Sequence, residues 1–415
     1  MFFGWALVVL TVCGHCRYTS ISAALDAAQP GDTVAVAPGT YREFIQVTRP
    51  VTLVGNGAVI DGEGQRPLIQ VRADDVRVEG FRLVRSGRDL LRDTAALRVS
   101  NARRCAVVGN RFEDTFFAVY LEGVQDCRVE NNVIVGVPRG EGGSGNGIHT
   151  WNSAGLVVVG NQVTGHRDGI YLEFTSDSVL TDNRAEDNIR YGLHFMYSDQ
   201  NGFARNTFQR NGAGVAVMYS RKVAMQENTF IGHEGKAAYG FLLKEIAESS
   251  LVNNWFEANS VALHLDQSNR NEVRGNAFCR NGLAISLWGS AEQNDFAENS
   301  FEGNLFDVYT NSLQSGGNRF ERNYFSSYWG YDRDRDGCGD LPFRPVSFSA
   351  VLLARYPLAG LLAKSLFFEF LDLTERLIPA FAPSELADLR PSLRPTKNAC
   401  TRGRRLKTIP VNGSG

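Results

Sequence analysis

One phrase is written repeatedly along this chain. Residues 201–220 read NGFARNTFQRNGAGVAVMYS and residues 271–290 read NEVRGNAFCRNGLAISLWGS. Aligned on the asparagine of the G-N-x-F-like core, the copies fall at Asn110, Asn132, Asn161, Asn183, Asn206, Asn228, Asn254, Asn276, Asn299 and Asn318, in steps of 22, 29, 22, 23, 22, 26, 22, 23 and 19 residues. Self-similarity at this period restricts the chain to a solenoid, because each unit buries its apolar face only against the next. Runs such as GIYLEF, GLHFMY, GVAVMY and ALHLDQ alternate with the period of a strand. The L-x-x-L-x-L spacing of a leucine-rich repeat is absent. The expected fold is therefore all-β: a right-handed, single-stranded parallel β-helix with coils of 22–23 residues.

Coils stack about 4.8 Å apart, so equivalent positions form columns. A second asparagine column is expected five residues after the first, at Asn188, Asn211, Asn259, Asn281, Asn304 and Asn323. Five residues before it lie Cys105, Cys127, Ser178, Asn201, Asn271 and Asn294. Cys105 and Cys127 should then be neighbours, either as a disulfide or as two buried thiols.

Residues 17–330 are assigned to the β-helix, with SISAALDAAQPGD as a short amphipathic helix capping its open end. Residues 1–16, MFFGWALVVLTVCGHC, read as the apolar core of an export signal, too short to span a bilayer, with a buried N-terminal strand or helix as the alternative. The CGHC within them lacks the βαβ context of a thioredoxin site. Insertions at 137–146 and 233–239 are expected to project as loops. An Asp-rich turn, 331–345, a helical extension, 346–395, and a disordered tail, 396–415, complete the chain. A formal net charge of −2 argues against a nucleic-acid partner.

On the strand that starts at Gly147, Gly169, Gly192, Gly214, Gly240, Ala262 and Ala284, alternation sends one set of side chains outward. That set is His149/Trp151, Tyr171/Glu173, His194/Met196, Ala216/Met218, Leu242/Lys244, His264/Asp266 and Ser286/Trp288. Imidazole and thioether together suit soft cuprous copper, so His194, Met196, Met218, His149 and His264 are copper candidates. The plainer reading is an aromatic patch that docks a partner, through Trp151, Tyr171 and Trp288. In DRDRDGCGD, Asp332, Asp334, Asp336 and Asp340 resemble half of a calcium loop, with Gly337 at the turn. Phe343 stands where the distal bidentate glutamate belongs. Enzymatic motifs are thin. Asp168 stands alone on its coil, and Lys244 with Glu173 and Asp266 is the one lyase-like set. The expectation is a protein that is not an enzyme, with a polyuronide-active or carbohydrate-binding β-helix as the alternative.

Three features together resemble the NosD family: GDTVAVAPGTY…VTLVGNGAVIDGEG, the N-x-F coils, and NYFSSYWGYDRDRDGCGDLPFRP followed by LIPAFAPSELADLRPSLRP. The resemblance implies a periplasmic factor in building the copper–sulfide centre of nitrous oxide reductase. It implies an ABC-type transporter (a permease and an ATPase), a copper chaperone lipoprotein and the reductase as partners. The apolar segment 346–381, with Leu366, Phe367 and Phe370, would dock the permease, so the chain would meet the membrane only through that subunit.

Overall fold

The computed structural model describes residues 8–347 apart from 90, 236–237, 289 and 313, together with Ala350, Ser365, Leu366, Phe370, Thr374, residues 386–396 and Cys400. Its strands form three parallel sheets of 14, 12 and 13 strands. Each coil contributes one strand to each sheet. We call them A (first in each coil, as Ala106–Val108), B (second, as Arg111–Glu113) and C (third, as Phe117–Glu122). Strands of A and B are mostly three residues long and bury only the central side chain, whereas those of C reach six residues. The parallel β-helix expected from the repeat is the fold observed.

The interior of sheet B shows why one phrase recurs. Phe208, Phe230, Phe256, Phe278, Phe301 and Phe325 stack ring on ring with centroids 4.6–5.5 Å apart. The coil spacing imposes this separation, and it matches the stacking distance of aromatic rings.

The asparagines hold the corners. From Asn110 to Asn299, each backbone N–H in the A–B corner donates to the side-chain oxygen of the asparagine one coil later, as in Asn206 N to Asn228 Oδ1 at 3.0 Å. The side-chain amide donates to the same oxygen and to a carbonyl one coil earlier, as in Asn206 Nδ2 to Leu180 O at 3.0 Å. Turn backbone that strands leave unpaired is thereby satisfied in the interior. A second ladder follows the B–C corner through Asn188 and Asn211, then Asn259, Asn281 and Asn304. A third runs up the C–A corner through Ser178 and Asn201, then Asn271, Asn294 and Asn318.

Two asparagines therefore change column. Asn323, not Asn318, closes the first ladder, and Asn318 closes the third. GNRF at 317–320 matches the sequence phrase, but the last coil is longer than its neighbours, and register is fixed by stacking rather than by wording. Cys105 and Cys127 occupy the third column as free, buried thiols, and Cys105 N–H donates to Cys127 Sγ at 3.2 Å.

Both ends depart from the sequence reading. Val9–Val12, within the segment read as a signal, is the first strand of sheet A and pairs in parallel with Thr33–Val36. Its β-branched residues cover the first coil, and Leu10 and Val12 are buried. Cys13 and Cys16 are joined by a disulfide just beyond it. Helix Ile21–Ala27 caps the barrel as expected. Ser20 Oγ accepts from Ala23 N–H, and Glu43 accepts from the N–H groups of Ile21 and Ser22.

At the far end, residues 386–396 are not helical but form bends and isolated bridges. They bridge to Phe320, Tyr324, Cys338 and Phe343. Asp388, fully buried, accepts from Asn323 N, Asn323 Nδ2, Arg322 N and Arg390 N at 2.8–3.1 Å, ending the first ladder. Pro391 and Pro395 punctuate this stretch, which suits an extended course rather than a helix. Of the helix expected over 346–395, Ala350, Leu366, Phe370 and Thr374 are helical, and Phe367 lies outside the described residues. The tail expected to be loose is held at two points: Thr396 N–H donates to Ser300 Oγ, and Cys400 forms a disulfide with Cys279.

Candidate functional site

The outward face of sheet C carries the side chains that the alternation assigned to it. Register pairs Tyr120 with His149, His149 with Tyr171, Tyr171 with His194 and His194 with Ala216. One row over, Glu173 pairs with Met196 and Met196 with Met218. Stacking at the coil spacing puts these rings in contact. Centroids are 4.7 Å apart for Tyr120–His149, 4.8 Å for His149–Tyr171 and 4.5 Å for Tyr171–His194. Tyr191 flanks His194 at 4.8 Å. The result is an alternating Tyr–His–Tyr–His column with a pair of thioethers beside its end.

Although the column faces away from the barrel, it is not open to solvent. His149, Tyr171 and His194 are 7%, 8% and 5% exposed. Tyr171 is therefore a member of this column rather than an exposed docking residue; its hydroxyl donates to Met196 Sδ at 3.4 Å. Trp151 and Trp288 do lie at the surface, as do Leu366 and Phe370. His264 is buried three coils beyond His194, roughly 14 Å along the stack. It is hydrogen-bonded to Ser286 Oγ at 3.0 Å and does not join the cluster.

The polar neighbours divide the two histidines. His194 has neither ring nitrogen hydrogen-bonded among the described residues, and both are buried. Its Nδ1 lies 3.7 Å from Asp168 Oδ2, beyond direct hydrogen-bonding distance. Asp168 is itself fully buried and gripped by Arg190, with Nε to Oδ1 at 2.9 Å and Nη2 to Oδ2 at 2.5 Å. Burial alone would raise the Asp168 carboxyl, but Arg190 outweighs it and brings the pKa down to about 2. His149 instead has Nδ1 3.2 Å from Asn146 Nδ2 and Nε2 3.8 Å from Glu173 Oε2. Burial lowers the His149 pKa, which favours the neutral ring.

Asp168 is thus not the isolated carboxylate that its sequence position suggests. Asn146, Arg167, Arg190 and Tyr191 were also missed. Asn146 lies in an insertion, Arg167 and Arg190 lie at corners, and Tyr191 opens the strand Tyr191–Met196, ahead of the first residue used to count the alternation.

The Asp-rich turn brings three carboxylates, Asp332, Asp334 and Asp336, within 4.8 Å of one another. Asp340 is not among them: it accepts from Arg333 N–H at 2.8 Å. Asp332 accepts from the N–H groups of Arg335, Asp336 and Gly337, and Asp336 pairs with Arg390 on the terminal cap. The lyase-like set does not assemble either. Lys244 is adjacent to Asp266 in register, but Glu173 lies three coils away.

A donor set of imidazole and thioether matches the preferences of cuprous copper. An imidazole buried without a partner leaves a polar group whose desolvation no hydrogen bond offsets, as expected of a ligand-binding atom. His194, Met196 and Met218 are thus residue types that suit a soft metal, brought onto one face by the register.

Comparison with known proteins gives a consistent result. The family model described as "Periplasmic copper-binding protein (NosD)" matches residues 135–329, and one for a domain of unknown function matches residues 15–219. A Pseudomonas aeruginosa protein named "Probable ABC transporter binding protein NosD" is 33% identical over 379 residues, covering 87% of this chain and 88% of the relative. One of the same name from Stutzerimonas stutzeri is 31% identical, covering 88% and 87%. Among solved structures, a Streptomyces thermodiastaticus α-1,3-glucanase superposes with a TM-score of 0.61 at 15% identity over 74% of this chain and 65% of its own. The Dettilon tailspike gives 0.54 at 12% over 77% and 68%. At these identities the two structures speak to the fold alone.

Proposed function

Since this chain belongs to the NosD family, we propose that it is a periplasmic accessory protein that holds copper as cargo on the outward face of sheet C. The observation that carries this reading is His194: two buried, unpartnered ring nitrogens beside the Met196–Met218 pair. In this reading His194 supplies the borderline nitrogen ligand, and the two thioethers supply soft sulfur that favours the cuprous state. Tyr171 and Tyr191 pack against the imidazole and restrict water.

The protein would act with an ABC-type transporter, as the names of its relatives suggest. Its destination would be the copper–sulfide centre of nitrous oxide reductase, supplied through a copper chaperone lipoprotein. The segment 346–381 would dock the transporter permease. Both of its flanks are anchored to the last coils, by the bridge of Val346 to Val308 and by Asp388, so a partner could be engaged without loosening the barrel. The Asp332–Asp334–Asp336 turn, paired with Arg390, would stiffen that anchor, with calcium as a further ligand.

The test is a clean deletion strain. A reductase that is made and exported but lacks its copper–sulfide centre supports the reading. A fully assembled, active reductase overturns it. Cuprous titration of the pure protein then separates metal holding from docking alone.

A further inference from the structure

The two histidines of the column have polar neighbours of opposite character: an amide beside His149 and a carboxylate beside His194. At His149, Arg167 Nε donates to Asn146 Oδ1 at 3.2 Å, which fixes the amide so that its Nδ2 faces the imidazole. That Nδ2 can only donate, so His149 Nδ1, 3.2 Å away, must be the acceptor. The proton of the neutral ring is then on Nε2, which faces Glu173 Oε2 at 3.8 Å.

At His194 the polarity is reversed. Nδ1 lies 3.7 Å from the Asp168 carboxylate, too far for a direct hydrogen bond but near enough for the negative charge to favour a ring proton on that side. The favoured tautomer then carries its proton on Nδ1 and leaves a lone pair on Nε2, which is buried with no hydrogen-bond partner among the described residues. Arg190 holds Asp168 through two hydrogen bonds, and Tyr191 N–H adds a third at 3.3 Å, so the carboxylate cannot turn away.

We propose that Asp168, clamped by Arg190, is a positioning residue that sets His194 as the Nδ1–H tautomer and presents Nε2 to the metal, while the Arg167–Asn146 pair locks His149 in the Nε2–H form and removes it from the ligand set. The metal half of this proposal rests on the copper reading above; the tautomer half does not. A carboxylate behind a ligand imidazole is a general way of fixing ring orientation and raising basicity.

The experiment uses full-length protein with ¹⁵N-labelled histidine. Long-range ¹H–¹⁵N spectra report each tautomer directly, and assignment comes from His149→Phe and His194→Phe, which keep a ring in the stack. The expected result is Nδ1–H for His194 and Nε2–H for His149. The same tautomer at both, or the reverse pair, overturns the proposal whether or not metal binds. Anaerobic cuprous titration against a competing chelator then tests the ligand half. Asp168→Asn should weaken binding by about 10–100-fold, the usual loss for such a partner, and Asp168→Glu should recover part of it. His149→Phe should change affinity by less than Asp168→Asn does. If His149→Phe loses binding and His194→Phe keeps it, the assignment is wrong. If the wild type takes no copper but shows the expected tautomers, the copper reading falls and the positioning role stands.

Discussion

Replacing Asn228 by alanine removes one rung from the middle of the first asparagine ladder, and its cost can be worked from the bonds it makes. Asn228 Oδ1 accepts from Asn206 N and Asn206 Nδ2, both at 3.0 Å. Its own Nδ2 donates to Phe203 O at 3.0 Å and to Asn254 Oδ1 at 3.1 Å. Asn206 Nδ2 and Asn254 Oδ1 keep other partners, but Asn206 N–H loses its acceptor, and Phe203 O loses the amide that donates to it. Orphaning a buried polar group costs roughly 1–3 kcal/mol, so the expected loss is about 2–5 kcal/mol. Gln226→Ala, two residues away on an exposed position, is the control and should lie within about 0.5 kcal/mol of wild type. Urea unfolding followed by circular dichroism reads both, with the m-value checking that unfolding remains cooperative. Hydrogen exchange should show faster exchange at Asn206 and its flanking amides. A loss for Asn228→Ala no larger than that of Gln226→Ala would show that the ladder is ornament and that stacking of the phenylalanines carries the coil.

Met196→Leu with Met218→Leu should leave the fold intact, at less than about 1.5 kcal/mol each, while weakening cuprous binding in the chelator competition. Arg190→Gln strips the buried Asp168 of its cation and should destabilise the protein by about 3–5 kcal/mol in urea unfolding at neutral pH. The sign with pH follows from the depressed Asp168 pKa: its stabilising contribution is complete above the ordinary aspartate value near 4 and fades as pH falls toward about 2. Without Arg190, burial raises the Asp168 carboxyl, so the wild-type advantage over Arg190→Gln should begin to shrink above the ordinary aspartate value and continue to fall toward about pH 2. A chain lacking 348–385, rejoined by a flexible linker, should lose the transporter complex yet unfold like wild type, whereas removal through residue 395 should also strip Asp388 and destabilise the last coils.

The repeat made the fold legible because a solenoid stores its instructions locally: each coil needs the same apolar centre and the same corner asparagine. Alternation then placed His194, Met196 and Met218 on one face with correct neighbours. What stayed hidden depends on contacts between unlike positions. The Cys279–Cys400 disulfide spans 121 residues and joins a coil to a tail with no period of its own. Asp388 looked like part of a helical extension because its ligand role exists only against Asn323. Asp168 and Arg190 are one coil apart at a corner, where spacing alone does not distinguish a buried clamp from a solvated turn. The first strand stayed open between two readings because Val9, Leu10 and Val12 suit an export signal and a sheet edge equally well.

The asparagine ladders also give the barrel a polarity. Every rung donates its backbone N–H toward the coil that follows, never toward the one before. Aligned bonds of this kind add as dipoles and polarise one another, much as peptide units do along a helix. The positive pole therefore lies at the C-terminal end, where Asn323 arrives with two N–H donors and no further coil to receive them. An asparagine there would accept but bring no charge; a carboxylate does both, and Asp388 is what the chain returns to supply.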